Sequence, residues 1–137
     1  MNINELSDKQ KSVILARLCG WTVDEVTQET MERLYGKRSD YMSRMVWRDI
    51  LGVLYPFGLP NFYNTANMDT AWRVLNWATS NDSIHDELID WDWHRWTSHQ
   101  HIWTMPPTEA QRSWLDKILE LAIEAGLVDL RPEERPQ

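Results

Sequence analysis

The chain has 137 residues, with 14 basic and 21 acidic side chains and a formal net charge of −7 at neutral pH. That length fits one domain, and 42% hydrophobic against 26% charged residues supports a buried core, which excludes disorder throughout. No apolar run approaches the roughly 20 residues of a bilayer-crossing helix, the opening MNINELSDKQKS lacks an apolar signal core, and the lone Cys19 excludes an internal disulfide or a cysteine-rich zinc site.

Ser7 is placed to cap a helix over 8–19, with Asp8 favourably set against its N-terminal dipole. Val13, Ile14, Leu15 and Leu18 give that helix an apolar side, and Gly20 suits its end. Trp21, Val23 and Val26 fit a short strand, while Thr22 and Glu25 equally fit a capping box that starts a helix. Residues 28–35 read as helix in either case, stopped by Gly36 and followed by a charged connection over 37–40. Residues 41–55 divide between a helix and one or two strands, because Met42, Met45 and Leu51 do not decide against the aromatic and β-branched residues around them.

The stretch from Pro56 to Asn67 is irregular and leads into a helix capped by Asn67 or Thr65. There Met68, Ala71, Trp72, Leu75 and Ala78 recur at helical spacing until Ser80, Asn81, Asp82 and Ser83 stop it. Residues 84–105 favour extended structure. In a strand, Ile89, Trp91 and Trp93 share one face and Asp90, Asp92 and His94 the other, whereas a helix would carry apolar residues all round. The last helix follows Pro106 and Pro107, with Thr108 and Gln111 as a capping box. Trp114, Leu115, Ile118, Leu121, Ala122 and Ala125 form its stripe, and Gly126 ends it. Residues 127–130 fit a short edge strand, and 131–137 fit a polar, proline-punctuated tail expected to be disordered. The expectation is a single α+β domain over residues 1–130, with three main helices packed on a small antiparallel sheet.

Two compositional features bear on function. Nine tryptophans stand against two phenylalanines, a preference for a ring with a polar handle. Each ring buries about 150–250 Å² in a core, and the same residue is enriched among binding hot spots. Charge is the second feature. Residues 1–68 balance, whereas residues 69–137 carry six bases and thirteen acids, and hence the whole net charge. No basic footprint for phosphate is present, which argues against direct nucleic-acid binding.

His85, His94, His99 and His101 fall close together among Asp86, Asp90 and Asp92, so a divalent metal site enters as one alternative. Their spacings match no metal motif, and half-exposed histidines in a polar segment are the ordinary reading. Cys19 sits at a helix C-terminal end, where a buried structural thiol fits better than a nucleophile. The chain has no nucleophile elbow, phosphate-binding glycine loop or dinucleotide fingerprint. No catalytic residue, cofactor or resident metal is therefore assigned, and a non-enzyme is expected.

What remains is the strip from Asn81 to Trp103. It holds Asp82, Asp86, Glu87, Asp90 and Asp92 interleaved with Trp91, Trp93, Trp96 and Trp103, and no Lys or Arg lies between Arg73 and Arg95. Carboxylates so placed repel one another in isolation and become favourable opposite a basic groove, while desolvated indoles supply short-range energy. The bland reading is that the rings pack inward and the acids merely solvate the outside.

Three segments, KSVILARLCGW (residues 11–21), NTANMDTAWRVLNWA (64–78) and AQRSWLDKILELAIEAG (110–126), together resemble small accessory proteins of tailed phages and prophages, some of them grouped with a phage sandwich-like α+β domain. The resemblance implies a viral accessory protein in the host cytoplasm and brings no catalytic residue with it. By analogy with small acidic phage proteins that act stoichiometrically on host machinery, the expected function is a non-catalytic inhibitor of a host nucleic-acid-processing protein, such as a CRISPR effector. Asp82, Asp86, Glu87, Asp90 and Asp92 would meet its basic surface, with Trp91, Trp93 and Trp96 as anchors. The alternatives are an oligomeric virion assembly protein and a small metal-dependent hydrolase.

Overall fold

The computed structural model describes residues 3–25, 29, 32, 33, 36, 45–55, 58–97 and 107–128, apart from the side chains at 25, 45, 94–97, 107 and 108. Helix α1 (Asp8–Leu18) follows a 3-10 turn at Ile3–Glu5. Its start is a reciprocal capping box: the Gln10 N–H donates to Ser7 Oγ at 3.1 Å, and the Ser7 N–H donates to Gln10 Oε1 at 2.8 Å. Gly20 ends it at φ +87°, a left-handed position that lets the Trp21 N–H reach back to the Ala16 carbonyl at 3.0 Å. Chain direction is thereby reversed into the sheet.

Strands β1 (Thr22–Glu25), β2 (Met45–Arg48) and β3 (Leu54–Tyr55) pair antiparallel in that order. Val23 stands opposite Trp47 and Trp47 opposite Tyr55. For residues 22–25 the strand alternative is the one adopted, Val26 lies outside the described residues, and 45–55 is a hairpin. Asp49 shapes its loop: Oδ1 accepts the N–H groups of Leu51 and Val53, each at 2.9 Å, and its own N–H donates to the Val53 carbonyl at 3.0 Å. So small a sheet cannot stand alone. It is held by Trp21, which stacks on Tyr55 (centroids 5.1 Å apart) and meets Phe62 edge-on.

Asn64 caps a 3-10 turn at Thr65–Asn67 by accepting the Ala66 N–H at 2.9 Å, and helix α2 (Met68–Thr79) continues from it. Asn67 occupies the α2 cap position without a side-chain cap bond, so the capping expected of Asn67 or Thr65 falls to Asn64, one turn earlier. Helix α3 (His85–Thr97) and helix α4 (Pro107–Glu124) complete the domain. Helix α4, about 27 Å long, is the spine. Leu115, Ile118, Leu119, Leu121 and Ala122 are buried along it, joined by Ile14 and Leu15 of α1, Ala71, Val74 and Ala78 of α2, and Ile84 and Leu88 at α3.

An α+β domain was expected with three main helices, and four are present among the described residues because residues 85–97 wind into a helix rather than a strand. Ile84, Leu88 and Trp91 form its inward stripe at i, i+4, i+7, and burying that stripe outweighs leaving Ile89 and Trp93 outside. Asn81 starts the winding: its Oδ1 accepts the Ser83 N–H at 2.9 Å and its carbonyl accepts those of Ile84 and His85. Ala125 is exposed, and Leu119 takes its place in the α4 stripe. Gln111 does not serve the expected capping box; its Nε2 donates instead to the carbonyls of Phe62 and Asn64. Leu127 and Val128 are not in a strand. The helix expected over 28–35 lies mostly outside the described residues, of which Glu29, Glu32 and Arg33 are helical. The expected tail over 131–137 and residues 98–105 lie outside them too. No helix among the described residues is long and apolar enough to cross a membrane.

Candidate functional site

Helical geometry rearranges the acid and tryptophan strip. Asp86, Asp90 and Trp93 lie at i, i+4, i+7 and come to one outward face of α3, with Ile89 and Glu87 flanking them. Asp82, Asp86, Glu87, Asp90 and Asp92 are all exposed, and Trp93 is 62% exposed. Trp91 turns the other way, half-buried against the core, so the face that a strand would have shared among Ile89, Trp91 and Trp93 does not exist. The side chain of Trp96 and all of Trp103 lie outside the described residues. Asp86 Oδ1 lies 3.1 Å from His85 Nδ1, a solvated contact between neighbours.

The seven tryptophans with described side chains divide by burial. Trp21 and Trp114 are core; Trp47, Trp77 and Trp91 are half-buried; Trp72 and Trp93 are exposed. Trp72 was expected on the buried stripe of α2. That stripe is instead Thr70, Ala71, Val74 and Ala78, and Met68, Trp72, Leu75 and Thr79 form a second stripe beside it. The second stripe is one wall of an apolar groove of about 350 Å³ between α2, α3 and α4. Trp72 and Trp114 meet in it with ring centroids 6.1 Å apart and planes tilted by 33°. Asp92, on the flank of α3 next to its inward stripe, also lines the groove, as does Gln111.

Other polar clusters serve the fold. Asp49 has no exposed side-chain surface; it accepts Arg73 Nη1 at 2.6 Å and the Tyr55 hydroxyl at 3.0 Å as well as the two loop N–H groups. Burial acts to raise its pKa, but the hydrogen bonds from Val53, Arg73, Tyr55 and Leu51 outweigh it and hold the carboxyl below its ordinary value. Between α1 and α4, Arg112 binds Asp8 with two hydrogen bonds of 2.9 and 2.8 Å, and Asp116 Oδ1 accepts both Lys11 Nζ at 3.1 Å and the Tyr63 hydroxyl at 2.7 Å. Each member has its partner inside the cluster, as a helix-to-helix clamp requires. Cys19 is buried and desolvation pushes its thiol up to about 12, the opposite of an activated nucleophile.

Among the described residues no three His, Cys, Asp or Glu side chains are placed to share a metal ion; His99, His101 and the side chain of His94 lie outside them. The sequence missed the groove because its walls come from three helices distant in the chain. The one signal available was the surplus of Met68, Trp72 and Leu75 beyond what a single buried stripe of α2 needs. Comparison with protein-family models, curated proteins and solved structures finds no match.

Proposed function

We propose that the protein is a non-catalytic inhibitor that binds a host nucleic-acid-processing protein, such as a CRISPR effector, through the outward face of α3. The observation that supports this reading is the placement of Asp86, Asp90 and the 62% exposed Trp93 on one face of one helix, with Glu87 and Asp82 beside them. On a helix, i and i+4 lie about 6 Å apart, comparable to the phosphate spacing along one nucleic-acid strand. Carboxylates so held steer a basic groove into contact, and a large exposed ring then gains by desolvation. The partner carries a basic channel, and the inhibitor competes with nucleic acid for it.

Competition tests the reading. Excess protein should release bound nucleic acid from a CRISPR effector, with association slowing as salt is raised. The Asp86→Asn, Asp90→Asn, Trp93→Ala variant should remain folded and lose that effect; undiminished competition by the variant would remove α3 from the interface. A virion assembly role is favoured by a separate observation, the exposed hairpin tip of Ile50, Leu51 and Val53. Sedimentation distinguishes the two, because an assembly protein forms a stable large oligomer and a stoichiometric inhibitor does not.

A further inference from the structure

The groove between α2, α3 and α4 has the size of a small-molecule site, about 350 Å³ against the roughly 300–1,000 Å³ of ligand pockets. Its walls are largely apolar, and three indoles, those of Trp72, Trp91 and Trp114, contribute to them. Asp92, Gln111 and Thr79 break the apolar lining. Asp92 brings a carboxylate, and none of the described residues lining the groove is a Lys or Arg. Gln111 is 1% exposed and its Nε2 is used on two backbone carbonyls, which fixes the orientation of the amide. Its Oε1 is buried and finds no hydrogen-bond partner among the described residues. That oxygen has almost no accessible surface, so it is sealed from the groove and the residue presents the rest of its side chain there.

We infer that this groove is a binding site for a small organic ammonium ion with an apolar body. The indole faces hold the body and attract the cation, and the Asp92 carboxylate complements its charge. An anion of the same shape meets Asp92 with like charge. The site uses the inner flank of α3 and shares Ile89 with the partner face on its outer side.

Phenethylammonium and 3-phenylpropionate, titrated into the full-length protein, test the inference because they share a phenyl body and differ in charge. The readout is the set of indole N–H resonances in proton–nitrogen NMR. Phenethylammonium should shift those of Trp72, Trp91 and Trp114 saturably, with an affinity of about millimolar for so small a probe, and 3-phenylpropionate should bind at least about tenfold more weakly. Asp92→Asn and Trp72→Ala, both at exposed positions, should each weaken phenethylammonium by about three- to tenfold with the remaining spectrum unchanged. Trp72→Phe should restore most of the affinity by restoring an aromatic wall. Absence of saturable binding, equal affinity for the anion, or indifference to both Asp92→Asn and Trp72→Ala would overturn the inference.

Discussion

The carboxylate of Asp49 and the guanidinium of Arg73 meet at 2.6 Å, tying the β2–β3 hairpin to helix α2 across 24 residues of sequence. The acid is wholly buried and the base about one-third exposed. Asp49 thus joins two jobs, since the same carboxylate that orders the hairpin loop also receives the helix.

Replacing Asp49 by alanine should therefore destabilise the protein by about 2–3 kcal/mol. Two loop N–H groups, one phenol and one guanidinium lose their acceptor at once, and the partial exposure of Arg73 keeps the cost below that of a fully buried pair. Urea denaturation would show a lower midpoint with an unchanged slope. A loss below about 0.5 kcal/mol would mean that water replaces the carboxylate at little cost.

Acid should unfold the protein through the same group. Asp49 is held ionised below its ordinary pKa by hydrogen bonds, after burial is overcome, and Asp8 is held down by its hydrogen bond to Arg112. A depressed folded-state pKa contributes stability that is fully present above the unfolded value of about 3.9 and is lost as pH falls through the folded value. Stability should begin to fall near pH 4, and Asp49→Asn should flatten that dependence more than Asp8→Asn, whose ion pair is more exposed. Thermal unfolding from about pH 6 to pH 2 measures both slopes.

Leu88 and Ile89 are neighbours in α3 with opposite surroundings, 4% and 51% exposed. Leu88→Ala should cost about 2–4 kcal/mol by opening a cavity, whereas Ile89→Ala should change stability by no more than about 0.5 kcal/mol. Circular dichroism on the same variants should show retained helix. A comparable cost at both positions would contradict the orientation of α3 and with it the outward face of Asp86, Asp90 and Trp93.

Cys19 should resist alkylation. Its thiol is buried at the end of α1 and pushed up to about 12 by desolvation, so the folded protein presents almost no thiolate at neutral pH. Iodoacetamide should modify it only when denaturant opens the domain, and rapid modification of folded protein would place Cys19 nearer the surface.

The α+β class and helices α1, α2 and α4 were legible in the sequence because each is signalled locally. Ser7 caps α1 within one turn, the prolines at 106 and 107 signal the start of α4, and the stripe from Trp114 to Ala122 repeats at the helical period over several turns. The acids that the sequence singled out are exposed, and of its tryptophans Trp93 is exposed while Trp91 is half-buried. What only the tertiary structure decided was how residues 85–97 present them. In that segment the alternating spacing of Ile89, Trp91 and Trp93 and the helical spacing of Ile84, Leu88 and Trp91 coexist, so local pattern supports both a strand and a helix. Burial against α2 and α4 selects the second, turning Trp91 inward and bringing Trp93 together with Asp86 and Asp90. The groove, the bridging amide of Gln111 and the Asp49–Arg73 tie were illegible for a related reason: each joins residues far apart in the chain, and periodicity within one element carries no information about its neighbours.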